Sequence, residues 1–208
     1  MFAMSLVVPQ LLQLPEATGY GFGQTILVAG LVMAPNGLVM MVMAPLSARL
    51  SRAMGPKTTL MCGALLVAVG YGLSLLLMSG IWQLMIASTV IGAGVGLAYG
   101  AMPALVMAAV PRSETAAANS LNTLMRSIGT SVASAVTGMV LTSMTLPVGG
   151  QDLPSQGAFT LVLGIGGLAA LTAFAIAAFL PGRRKPSAED PPASGTAEPV
   201  GAAATRGA

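Results

Sequence analysis

The residues in this chain that could do chemistry are few, and they are amides and one guanidinium rather than acids or bases. Asn119, Asn122 and Arg126 recur at spacings of three and four, which places them on one face of a helix. Arg126 is the one ionisable residue inside an apolar stretch. At that depth it must face a cavity, pair or gate on the cytoplasmic side, or snorkel to water. Gln10 and Gln13 dot an otherwise apolar opening segment. Pro35, Asn36 and Gly37 bring a freed carbonyl and a polar side chain together in the middle of another stretch. Pro35 and Pro103 equally fit simple helix bends.

What is missing narrows the chemistry further. There is no His, and the single cysteine, Cys62, sits in an apolar run. An intrachain disulfide and a Cys/His zinc site are excluded, and no metal or cofactor is expected. No Asp or Glu falls within an apolar stretch. An intramembrane enzyme would lack general acid and base partners, and a proton carrier would need its titrating group elsewhere.

These residues are held by elements that avoid charge. Of 208 residues, 55% are hydrophobic and 7% charged, and the net charge is +3. Ala17–Ala48, Thr58–Pro111, Ser127–Gln151 and Leu153–Gly182 contain no Asp, Glu, Lys or Arg. A helix needs roughly 20 apolar residues to cross a bilayer core about 30 Å thick. The chain is therefore read as an all-α transmembrane bundle over residues 1–182. Full spans are expected at about 25–46, 58–78, 83–110, 118–144 and 158–180. Residues 1–14 are read as the outer end of a sixth span whose beginning is missing, or as a short interfacial helix. Pro45 and the cluster Arg49, Arg52, Gly55, Pro56 and Lys57 should close the first full span. Ser79-Gly80 should form a tight turn beside Trp82, Ser113 should cap the fourth full span, and Pro147–Pro154 should form a loop.

Basic residues set the expected orientation. Arg49, Arg52, Lys57, Arg112, Arg183, Arg184 and Lys185 fall on one side, and Glu16 and Asp152 on the other. This pattern predicts a multi-pass protein of the cell membrane with both termini cytoplasmic, and it accounts for the basic balance without nucleic acid. Residues 183–208, rich in Pro, Ala, Ser and Gly, are read as a disordered cytoplasmic tail.

Packing signals are strong. Gly92, Gly96, Gly100, Ala104 and Ala108 recur every four residues, a stripe that lets another helix approach closely or slide. Ser127, Ser131 and Ala135, beside Gly129 and Ala133, repeat the device. Met33, Met40, Met41 and Met43 either line an adaptable cavity or fill the core and face lipid.

Together these segments resemble a known family. Pro9-Gln10-Leu11-Leu12-Gln13, Thr18–Gly23, Gly30–Pro35, Ala48–Lys57 and Asn119–Gly129 follow the order and spacing of the C-terminal half of a major facilitator superfamily carrier, with a closer likeness to bacterial fourteen-span drug:proton antiporters. The resemblance implies half of a major facilitator fold, built from two three-helix inverted repeats around a cavity shared with an N-terminal half. Arg49, Arg52, Gly55 and Lys57 would belong to the superfamily's cytoplasmic loop motif, although Ala48, Arg52 and Ala53 replace its first Gly, its Asp and an Arg. The cavity would be lined by the truncated span and the first, third and fourth full spans. That makes Gln10, Gln13, Asn36, Tyr99, Met102, Asn122 and Arg126 the candidates for substrate contact or gating. The implied function is alternating-access export of small organic, drug-like compounds, amphipathic or cationic, proton-coupled through the missing half. The competing class is a truncated or scaffold membrane protein without transport of its own.

Overall fold

The computed structural model describes residues 2–76 and 80–179. The expected tail, the basic residues 183–185 and the turn residue Ser79 lie outside them. Six helices follow in order: α1 (Phe2–Gln13), α2 (Ile26–Met54), α3 (Pro56–Leu76), α4 (Ile81–Ala109), α5 (Thr115–Ser143) and α6 (Gln156–Phe179). Five of them, α2 to α6, are long and apolar enough to cross a bilayer. This is an all-α bundle, as the charge-free stretches implied.

α4 is the axis. It packs closely against α2 and α3, and α3 in turn packs on α6. Glycines set these distances. A Cβ built at Gly96 would lie 2.8 Å from Met43 Cβ, and one at Gly100 would lie 2.6 Å from Ser47 Oγ. Gly92 meets Asn36 in the same way. Residue numbers on α2 and α4 rise together along this seam, so the two helices run parallel. On its other face α4 is antiparallel to α3: Gly63 meets Gly94 and Ala98, while Gly70 meets Ile91 and Ala87. Lipid offers apolar residues no reason to associate, so such close approach is what holds membrane helices together. The hydroxyl of Ser47 adds a buried hydrogen bond, donated to the Leu97 carbonyl at 2.7 Å.

α1 is short, and one side of it is buried in the bundle. Met4, Val7, Val8, Leu11 and Leu12 are buried among α2, α5 and α6. Phe22 N–H and Gln24 N–H return to the Leu11 and Leu12 carbonyls, tying the next loop back onto it.

Several expected boundaries move. α2 runs on past Pro45 to Met54, because proline removes only one donor and the flanking turns keep their bonds. Arg49 and Arg52 therefore ride on its last turns rather than in a loop. Gly55, at φ 92°, is the whole junction, and Pro56 opens α3. Ser113 is no cap. Arg112–Glu114 forms a single 3-10 turn, and α5 begins at Thr115, whose hydroxyl donates to the Pro111 carbonyl. The last connection is not a loop but a hairpin, β1 (Thr145–Val148) against β2 (Gln151–Pro154). Gly149 and Gly150 both take positive φ, as a two-residue turn of the hairpin type requires.

Long-range ties join the two ends of α6 and the hairpin before it to other elements. Tyr20, in the α1–α2 loop, donates its hydroxyl to the Pro154 carbonyl and sets its ring edge-on to Phe159. At the opposite end Lys57 Nζ donates to the Ala178 carbonyl at 2.9 Å, near the negative end of the α6 dipole.

Candidate functional site

The fold gathers part of the expected constellation. α4 carries Tyr99 and α5 carries Arg126 to the same place, and the guanidinium stacks on the phenol ring with Cζ 4.2 Å from its centroid. That is well inside the range of a cation–π contact. A guanidinium placed over a ring keeps its five N–H donors for other partners. The Arg126 guanidinium makes no hydrogen bond or ion pair with any described residue. Asn122, one turn earlier, is half-buried, and Met102 lies half-buried three residues after Tyr99 on α4.

A recess of about 310 Å³ opens beside Arg126, lined also by Thr123, Ser127, Thr130 and Ser131. The hydroxyls of Thr123, Thr130 and Ser131 donate to the carbonyls four residues back, at 2.9 to 3.1 Å. Their protons are thereby used, and their lone pairs face outward. Sequence reading treated Ser127 and Ser131 as a packing stripe, and no described helix of this chain packs on it. Both are exposed, and nothing in the chain lies within 4 Å of a Cβ built at the neighbouring Gly129. The overlooked signal was the recurrence of hydroxyls at spacings of three and four on both sides of Arg126.

The other candidates lie elsewhere. Gln10 borders a recess of about 500 Å³ between α1, the end of α5 and the hairpin, with Ser134, Thr142 and Asp152. Gln13 is exposed and turns back on its own helix, donating to the Pro9 carbonyl at 3.0 Å. Asn36 is pressed against Gly92, with its Oδ1 buried and unpartnered among the described residues. It belongs to the α2–α4 seam rather than to the Arg126 recess. Gly92, Gly96 and Gly100 are in that seam too, and Ala104 is half-buried beyond it. Arg49 is exposed, and Arg52 donates to the Ala48 carbonyl of its own helix.

A larger apolar recess of about 530 Å³ separates α5 from α3 and α6, with Val67, Tyr71, Ala133, Val162 and Gly166 in its walls. α5 is thus loosely seated, with open space on several sides.

Comparison with family models matches residues 1–206 to the Major Facilitator Superfamily. The match spans nearly the whole chain, which belongs to that superfamily and is a membrane transporter protein. No curated protein matches it.

Proposed function

We propose, taking membership of the major facilitator superfamily as the premise, that this chain is the C-terminal half of a secondary transporter. It exports small organic, drug-like compounds across the cell membrane by alternating access, and proton coupling is supplied by the N-terminal half. Both termini are cytoplasmic, with Arg49, Arg52, Lys57 and Arg112 on that side. The observation that carries this reading is the Arg126 recess. In a bundle whose other deep polar groups serve packing, α5 presents an unpartnered guanidinium and a row of hydroxyls on an uncovered face. Polar groups at such depth are costly and belong to a bundle interior or a water-filled path.

The uncovered apolar side chains of α2 and α5, such as Leu38, Met41, Leu124 and Ile128, fit a partner half as well as lipid. They also fit a scaffold subunit without transport of its own.

The test is dye accumulation in cells expressing the chain alone and together with an N-terminal half. The transporter reading expects lowered accumulation only when both halves are present. A membrane-inserted complex of the two that leaves accumulation unchanged contradicts it and favours the scaffold.

A further inference from the structure

We infer that the Arg126 face of α5 takes the anionic head of a small organic acid, such as a carboxylate or sulfonate on an apolar body. This rests on the transporter reading above and names its substrate class.

Charge is the first argument. Arg126 is the one charged side chain within the expected spans, and no carboxylate pairs with it among the described residues. The described acids are Glu16, Glu114 and Asp152, all in connections between helices. Glu114 is nearest along the chain, twelve residues before Arg126, or about 18 Å at 1.5 Å per residue. A cation flanked by low-dielectric walls and left without a counter-charge attracts anions and repels cations.

Hydrogen-bonding capacity is the second. The guanidinium sits over the Tyr99 ring, and its planar fork of N–H donors matches two oxygens of one head group. The side chains of Ser127 and Asn122 have no hydrogen-bond partner among the described residues and can donate beside it. Thr123, Thr130 and Ser131 have spent their protons on the backbone, so they accept. The site therefore binds an anion best when that anion also carries an N–H or O–H group. Depth is the third argument. Arg126 is the twelfth residue of α5, about 17 Å along the helix from its start, so it lies one or two turns inside the expected span rather than at its edge.

The experiment measures binding to the purified chain in phosphatidylcholine nanodiscs by calorimetry. The probes are naphthalene-2-sulfonate and a naphthyl trimethylammonium of the same size. The sulfonate should bind above the level of protein-free discs, and the cation should not. Arg126→Gln should weaken sulfonate binding about tenfold to a hundredfold, the scale of a charge-assisted hydrogen-bonded pair. Arg126→Lys, which keeps charge but not the fork, should recover part of it. Near-native helicity and elution of the variants show that they are folded. Sulfonate binding that is absent, or indifferent to Arg126→Gln, overturns the inference, as does equal binding of the cation. If phosphatidylglycerol in the discs abolishes the Arg126-dependent signal, the face is a lipid site and the inference is also overturned. The dye-accumulation test fails or succeeds independently, since an anion site can exist in a chain that does not transport.

Discussion

α4 and α5 are both 29 residues long and follow one another in the chain, yet their surroundings differ sharply. In the most apolar window of α4, 39% of residues are buried inside the bundle; in that of α5, 11% are. α4 has small residues on two faces, and each face is filled by another helix. α5 has small residues too, but Gly129 and Gly138 look into open space. The same residue type thus does opposite things. In α4 glycine lets backbones touch. In α5 the glycines border recesses toward the rest of the bundle, while serine and threonine give the Arg126 face hydroxyls beside an open recess.

The largest break in this contrast should come from bulk. Gly94→Leu places a side chain where even a Cβ would lie 2.6 Å from the Gly63 carbonyl, so recovery of folded, monodisperse protein in detergent should be lost. Gly129→Leu should leave recovery unchanged. In the complete carrier, Arg126→Ala should cut efflux tenfold or more while membrane insertion, read by fractionation, stays intact. Gly100→Ala should destabilise the bundle by about 1–3 kcal/mol in a denaturant titration, as overpacking does. Gly138→Ala should be neutral or stabilise by roughly 0.5–1 kcal/mol, since it removes only glycine's unfolded-state freedom. Ser47→Ala should cost about 1 kcal/mol, because the lost hydroxyl leaves the Leu97 carbonyl one partner short.

The smallest effect concerns the loop tie. Burial raises the Tyr20 phenol above its ordinary 10.0. Folding therefore favours its protonated, donating form. The stability this confers is fully present below pH 10 and fades as pH rises through the raised value. Tyr20→Phe should remove that pH dependence and leave the spans in place by circular dichroism.

The fold was legible because charge avoidance is a coarse signal over 20 or more residues, and lipid leaves helices few alternatives. The stripe at Gly92, Gly96 and Gly100 was legible for the same reason, since close packing has a simple four-residue period. Boundaries were less so. Pro45 reads as a stop but costs only one hydrogen bond within a long helix, and Arg49 and Arg52 sit comfortably on helical turns beyond the apolar span. The hairpin was announced by Gly149-Gly150 but hidden by Pro147 and Pro154, which read as loop. The pairing of Tyr99 with Arg126 depends on how α4 meets α5, and no spacing within one helix contains that. Gln10, Gln13 and Asn36 shared their polarity with Arg126 but not its place.

The central claim is that the Arg126 face of α5 opens to water within the membrane while the faces of α4 are closed. Single cysteines placed by Thr123→Cys, Thr130→Cys and Ser131→Cys, and by Ala87→Cys and Ala98→Cys, in a Cys62→Ser background test it directly. Thiols ionise, and so react, only where water reaches them. With the protein in lipid vesicles, a membrane-impermeant maleimide should label the three α5 positions at least tenfold faster than the two on α4. Equal rates, or silence along α5, would contradict the account.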